Sequence, residues 1–178
     1  MTEWWRHAYE ERVVERTRLA KFIKITIYGS WQPSDQKQIL LNLVNYLRKK
    51  GFSDIDIVEG EKRPNPGGLN RFDVSTFYLE SSHVIFLVFT LEGARLGVTT
   101  ELDYILLSPI MVEKWRFCVV FNQTKRTKQS LGPLQQDKLA DLGEIPVVPF
   151  ESWEELNESA HRWVLIFLKK LGHILPFY

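Results

Sequence analysis

Glu101 is the acidic residue whose position most clearly suggests a catalytic role, because it follows an apolar run that predicts a buried strand. The run, residues 84–89, is unbroken, which is typical of a strand covered on both faces in a parallel sheet. Thr90 ends the run, and a helical pattern opens after a short loop at 91–97. Open α/β sheets bind ligands in the crevice outside the carboxyl ends of their strands. A carboxylate at the start of this helix is therefore predicted to reach a ligand in that crevice.

The start of this helix has a structural interpretation beside the catalytic one. Thr99 and Thr100 are the predicted N-caps, since a short hydroxyl side chain accepts hydrogen bonds from the free N–H groups of a first turn. Glu101 would then lie in the first turn, where an acid complements the helix dipole by ~0.3–1 kcal/mol whatever its other role. The residue types alone leave both interpretations open.

A second candidate group follows the first predicted strand, residues 22–28. Gly29 allows a ligand or another backbone to approach closely, Ser30 donates or accepts a hydrogen bond, and Trp31 offers a stacking face. A tight turn with a packed tryptophan is the structural alternative. The motifs GxGxxG and GxxxxGK[ST] are absent, so neither a dinucleotide oxidoreductase nor an NTPase of those types is supported.

Other catalytic classes lack their signatures in this sequence. The histidines, His7, His83, His161 and His173, are scattered and show no metal-ligand spacing. The motifs HExxH and GxSxG are also absent. The single cysteine, Cys118, lies in an apolar run, where burial raises the pKa of a thiol and favours packing over catalysis. We expect no metal and no cofactor.

Helical patterns alternate with five segments that predict strands: residues 22–28, 55–58, 84–89, 115–121 and 145–148. Such alternation predicts right-handed βαβ units and a parallel sheet. The predicted fold class is α/β, a three-layer sandwich with a flavodoxin-like five-stranded parallel sheet in the order 2-1-3-4-5 and helices on both faces. Strands 1 and 3 would then flank the switch point, so that the loops after them line one cleft.

The chain of 178 residues predicts one domain at residues 22–178, preceded by a helical extension at residues 1–21. Trp4 and Trp5 of the extension need cover, from the domain, from a second copy in a homo-oligomer or from a membrane surface.

The composition also predicts where the protein works and with what. The net charge of +1 gives no global field that favours nucleic acid as a partner. We expect no membrane partner, because no apolar stretch nears the ~18 residues of a spanning helix. The single cysteine and the lack of a signal peptide predict a soluble, cytoplasmic protein.

Three stretches resemble signatures of a known superfamily. Residues 23–30, IKITIYGS, resemble the opening strand and glycine turn of nucleoside 2-deoxyribosyltransferase-like proteins. Residues 79–90, LESSHVIFLVFT, and residues 97–105, GVTTELDYI, resemble the second signature of that family. There, a buried strand and a small-residue turn lead to a helix with the pattern Glu-hydrophobic-x-Tyr. TIR domains are similar in layout, with their own glutamate followed by leucine. The resemblance covers roughly residues 22–150.

The resemblance implies chemistry at the N-glycosidic bond between a base and a ribose or deoxyribose. Glu101 would be the nucleophile at the anomeric carbon, as in the transferases, or would hold the ribose hydroxyls and stabilise an oxocarbenium-like state, as in TIR NAD hydrolases. The implied contacts to the nucleoside or nucleotide are Gly29, Ser30, Trp31, Thr90, Gly97, Thr100 and Tyr104. The alternative is a non-catalytic nucleotide-binding or homo-oligomeric assembly module on the same fold.

Overall fold

The computed structural model describes residues 18–30, 32–57, 68–93 and 96–174. The strands of this part of the chain are β1 (Ile25–Gly29), β2 (Ile55–Ile57), β3 (Val84–Phe89), β4 (Cys118–Lys125), β5 (Lys128–Gln129) and β6 (Val147–Phe150). Its helices are α1 (Ser34–Lys49), α2 (Arg71–Ser81), α3 (Leu96–Leu107), α4 (Pro133–Leu142) and α5 (Trp153–Ile174), with a 3₁₀ helix at Pro109–Phe117. Residues 18–22 are also helical.

The strands form one sheet whose parallel members lie in the order β2-β1-β3-β4-β6. The short strand β5 pairs antiparallel with β4 and forms a hairpin with it. The predicted order 2-1-3-4-5 is therefore confirmed, with β6 as the fifth parallel strand. In the β1–β3 register, Ile27 lies opposite Phe86, so the two strands end side by side and the loops after them share one edge of the sheet.

Apolar helices cover both faces of the sheet. Successive residues of β3 point to opposite faces, so Phe86 joins one core and Leu87 the other. The first core includes residues of α1 and α5, for example Leu43 and Phe167. The second includes residues of α2, α3 and α4, for example Leu102. All six residues of β3 are buried, which confirms the predicted doubly covered strand.

The fourth strand begins later than the predicted segment 115–121. Trp115 lies in the 3₁₀ helix, where its indole Nε1–H donates to the carbonyl of Ile105 at 2.8 Å. The strand then continues into polar residues because Asn122 is buried and its Oδ1 accepts from the backbone N–H groups of Ser130 and Leu131, at 3.1 and 3.0 Å. Those bonds hold the β4–β5 hairpin, which the apolar pattern alone did not predict.

The N-cap prediction for α3 is wrong. The helix begins at Leu96, so Thr99 and Thr100 lie inside it and Glu101 is in its second turn. The Thr100 hydroxyl donates to the carbonyl of Leu96 at 2.9 Å. A hydroxyl satisfied in this way fits a helix interior, which is why threonine did not mark the first turn here.

Trp4 and Trp5 lie outside the described residues, so their predicted contact stays a prediction. The described part of the first helix packs Leu19 and Ala20 against the core formed with α1 and α5. Within the described ranges, no helix is both long and apolar enough to cross a bilayer.

Candidate functional site

Glu101 lies on the flank of α3 that faces α2. Its Oε1 accepts a hydrogen bond from the Ser75 hydroxyl at 2.9 Å. A Cβ added to Gly97, one turn earlier, would lie 3.9 Å from the other carboxylate oxygen, which is ordinary van der Waals contact. The carboxylate therefore lies in the groove between two helices, partly buried, rather than extending into solvent.

Burial raises the pKa of Glu101 to about 7, and the hydrogen bonds from Ser75 and from the backbone limit the rise. Among the described residues, no ion pair with a cationic side chain offsets the burial. The acid therefore populates both protonation states near neutral pH. A carboxyl group in this condition suits proton transfer or attack on an electrophilic carbon.

Ser75 is a site residue that sequence reasoning missed. Its side chain is buried, and its backbone carbonyl accepts from the Tyr28 hydroxyl at 2.8 Å. Tyr28, Ser75 and Glu101 thus link β1, α2 and α3 through hydrogen bonds. A signal for this role existed, because Ser75 shares one side of α2 with the buried Leu79, and a polar residue on a buried stripe needs a partner.

The loops after β1 and β3 meet, as the predicted strand order requires. Ser30 and Thr90 are both buried, and an added Cβ at Gly93 would collide with the Ser30 Cβ and the Thr90 hydroxyl. The Ser30 hydroxyl donates to the carbonyl of Gln32 at 2.7 Å. The Thr90 hydroxyl has no hydrogen-bond partner among the described residues.

Gly29 serves the packing of α1 on the sheet. A Cβ added there would lie 2.7 Å from the terminal methyl groups of Leu40, so the absent side chain lets this helix approach β1. Its neighbour Trp31 lies outside the described residues, and its predicted stacking role stays a prediction.

Thr100 and Tyr104 lie together at the outer end of the α2–α3 groove. They line a hollow of about 480 Å³ with Phe72, Asp103, Leu107 and Ser108. The Tyr104 hydroxyl donates to the Glu80 carboxylate, which raises the pKa of Tyr104. The ring of Phe72 meets that of Tyr104 edge to face, with centroids 5.7 Å apart. The lining residues come from α2, α3 and the residue after α3, not from the loop after β1.

A second hollow of about 390 Å³ is lined by residues of β4, β5, α4 and β6, and the sequence did not predict it. Amide and hydroxyl side chains line one part of it, and apolar side chains line the rest: Asn122, Thr124, Gln129, Gln136, Leu139, Ala140, Val147 and Pro149. The amide of Gln136 is already engaged, since it donates to the carbonyl of Leu131 at 2.9 Å.

His83 and Cys118, two side chains that could in principle do chemistry, are held in structural positions. The His83 Nδ1 accepts from the backbone N–H of Lys24 at 2.9 Å, at the amino end of the sheet. Cys118 is buried, and burial raises the pKa of its thiol. Within the four described ranges, no group of three or more His, Cys, Asp or Glu side chains is placed to hold a metal ion.

Comparison with solved structures agrees with this architecture. The chain is similar to the flavodoxin-like domain of a Synechococcus sp. protein, with a TM-score of 0.52 and 12% sequence identity over 82% of this chain and 99% of that domain. The fold is flavodoxin-like. At this identity the likeness shows the fold alone. No protein-family model matches the sequence, and a search of curated proteins finds no match.

Proposed function

We propose that this protein processes a nucleoside or nucleotide by cleaving or transferring at the N-glycosidic bond, with Glu101 as the carboxylate that acts at the anomeric carbon. The observation that most supports this proposal is the partial burial of Glu101 and its raised pKa. Glu101 is a partly buried acid with a pKa raised to about 7, and it accepts a hydrogen bond from the hydroxyl of Ser75.

Cleavage of the bond between sugar and base is chemistry that a partly buried acid with a raised pKa can promote. As the bond from sugar to base breaks, positive charge develops on the sugar ring, and a nearby carboxylate stabilises or captures it. A carboxylate shielded from water interacts more strongly with that charge than an exposed one. Within the described residues, Glu101 forms no ion pair that would compete with the substrate for its charge.

The hollow between α2 and α3 offers contacts of the kind a nucleoside needs, and Glu101 is not among its lining residues. It has a volume of about 480 Å³, within the ~300–1,000 Å³ typical of small-molecule sites. Phe72 and Tyr104 supply aromatic surface for a base, and Thr100 supplies a hydroxyl for a sugar. The resemblance to nucleoside 2-deoxyribosyltransferase-like and TIR proteins supports the same substrate class.

The direct test is a chromatographic and mass-spectrometric assay for free base after incubation with NAD, common nucleosides and their 5′-monophosphates. We expect base release by the wild type and a loss of ~10²–10⁴-fold in Glu101→Gln, which keeps the shape but removes the charge. Glu158→Gln, an exposed residue of α5, is the matched control and should retain the wild-type rate. Release that survives Glu101→Gln would overturn the proposal, as would nucleotide binding without any base release.

The pH dependence of kcat/KM gives a second test. An ionised carboxylate is the active form in the proposed role, so the rate should rise with pH and level off above about 7. Ser75→Ala removes a hydrogen bond that favours the ionised form, so it should move the rise to higher pH. Ser75→Thr keeps a hydroxyl and should stay closer to the wild type. A rate that falls as pH rises through this range would contradict the role given to Glu101.

A further inference from the structure

The hollow lined by residues of β4, β5, α4 and β6, which we call the β4–α4 hollow, has no part in the proposed function. It shares no lining residue with the hollow between α2 and α3, and its volume of about 390 Å³ is within the ~300–1,000 Å³ typical of small-molecule sites. None of the described residues that line it carries a formal charge. A charged ligand would lose its hydration there without meeting an opposite charge, so the lining favours a neutral ligand.

Asn122 brings an unused hydrogen-bond donor to this hollow. It is a lining residue, although it is only 6% exposed. Its Oδ1 accepts from the backbone N–H groups of Ser130 and Leu131 and from the Ser130 hydroxyl, at 3.1, 3.0 and 2.7 Å. Three donors at the oxygen fix the orientation of the amide, and no described residue accepts from its N–H₂ group. A donor this buried normally has a partner, and the hollow is where a partner would lie.

Gln136 brings a complementary acceptor to the same hollow. Its Nε2 donates to the carbonyl of Leu131 at 2.9 Å, which leaves Oε1 as the unused atom, because no described residue donates to it. The backbone of Leu131 therefore anchors both amides, that of Asn122 through its N–H and that of Gln136 through its carbonyl. Groups already held in place lose little conformational entropy when a ligand binds.

Apolar side chains complete the lining of the hollow: Leu139, Ala140, Val147 and Pro149. A flat ring packs its faces on such side chains and turns its polar edge to hydrogen-bonding groups. We propose that the β4–α4 hollow binds a neutral ring with C=O next to N–H on one edge, such as uracil or hypoxanthine. Asn122 donates to the ring carbonyl, and Gln136 accepts from the adjacent N–H. This inference goes beyond the proposed function and does not depend on it, since Glu101 does not line this hollow.

Isothermal titration calorimetry with uracil and with hypoxanthine tests for the site. We expect the wild type to bind one or both rings saturably. Binding of 1,3-dimethyluracil should be weaker than that of uracil by at least about tenfold, because it keeps the ring and both carbonyls but has no N–H to donate to Gln136.

Two variants locate the ring. Asn122→Asp keeps the oxygen that holds the β4–β5 hairpin but removes the N–H₂ donor, and Gln136→Met keeps the length of the side chain but removes the acceptor. Each should weaken binding by at least about tenfold. Gln135→Met changes the neighbouring glutamine of α4, which is not a lining residue, and should bind as the wild type does. Melting curves show whether each variant folds, and Gln136 is the less buried of the two positions.

A wild type that binds neither ring at millimolar concentration would overturn the proposal, as would equal affinity for uracil and its dimethylated form. Unchanged affinity in Gln136→Met would do the same. So would an affinity that falls in Glu101→Gln but not in Gln136→Met, because the ring would then lie beside Glu101. Base release by Gln136→Met should equal that of the wild type, so the two proposals can fail separately.

Discussion

Burial raises the pKa of Glu101, and the start of α3, which would lower the pKa of an acid, is too far away to offset the rise. Glu101 lies in the second turn of α3, whereas the dipole effect of a helix falls off within the first turn. The purely structural interpretation of this acid therefore loses its main support. What remains is a partly buried carboxyl group beside Ser75, for which burial favours the protonated form.

That state predicts a measurable dependence of stability on pH. The pKa of Glu101 is 4.5 when unperturbed and about 7 in the folded protein, so between these values only the folded state keeps the proton. Its contribution is fully present below pH 4.5 and is lost as the pH rises through 7, by on the order of 3 kcal/mol. Glu101→Gln cannot titrate and should lack this loss, so it should be more stable than the wild type at pH ~8.

Urea unfolding of both proteins at pH ~5 and pH ~8 measures the difference. Glu158→Gln should keep the wild-type dependence, because the side chain of Glu158 is exposed. Equal pH dependence in the wild type and Glu101→Gln would show that the carboxyl group titrates normally.

Helix α2 carries Ser75 into the site, and its position depends on a lysine from another element. The Lys114 ammonium, in the 3₁₀ helix, donates to three carbonyls at the end of α2, those of Leu79, Glu80 and Ser82. The carbonyls at a helix C-terminus lack the partners that the helix interior supplies, and among the described residues only the carbonyl of Leu79 here also accepts from a backbone N–H, that of Ser82 at 3.4 Å. The lysine thus satisfies and neutralises that end of α2, and burial lowers the pKa of its ammonium.

We predict that Lys114→Met lowers the free energy of unfolding by about 1–3 kcal/mol, because methionine keeps the apolar stem but leaves partly buried carbonyls without their charged donor. Urea unfolding at neutral pH checks this. Lys169→Met removes a lysine from an exposed position of α5 and should change the free energy of unfolding by less than about 0.5 kcal/mol. Similar free energies of unfolding for the two variants would mean that the hydrogen bonds from Lys114 to the end of α2 do not stabilise the protein.

Helix α3 combines three roles that its sequence pattern does not separate. Leu102 packs in the core, Glu101 faces α2, and Leu107 faces outward. The roles lie on different sides of the helix because each residue turns the chain by about 100°. A change on the outward side should therefore leave the core intact.

At the scale of the whole molecule, the central strand β3 is the described strand best shielded from solvent. β3 lies between β1 and β4, with helices on both faces, and all its side chains are buried. By contrast, β6 pairs with β4 alone among the described strands, and Val147 is 40% exposed. Local opening of the sheet should therefore begin at its edges.

Native-state hydrogen exchange tests this expectation. We predict that amides of β3 exchange only by global unfolding, with the same free energy as measured in urea, whereas those of β6 and the β4–β5 hairpin exchange through smaller openings. Exchange of β3 ahead of β6 would contradict the buried position of the central strand. The amides of β1 provide an internal control, because β1 also has a parallel partner on each side.

The sequence by itself determined the sheet and the meeting of the loops after β1 and β3. An apolar run such as residues 84–89 indicates burial on both faces, and alternation with helices predicts a parallel sheet, for which the observed order 2-1-3-4-5 is one of the common ones. That order alone places Ser30 and Thr90 on adjoining loops, which the close approach of Gly93 confirms. These features follow from local periodicity and chain topology, and both are properties of the sequence.

Only the tertiary structure decided what surrounds the acid. Ser75 is 26 residues from Glu101 in the chain, and their hydrogen bond depends on the packing of α2 against α3. The β4–β5 hairpin likewise depends on contacts between residues that the apolar pattern does not connect. Burial and hydrogen bonding set a pKa, and both arise from contacts that no local pattern encodes.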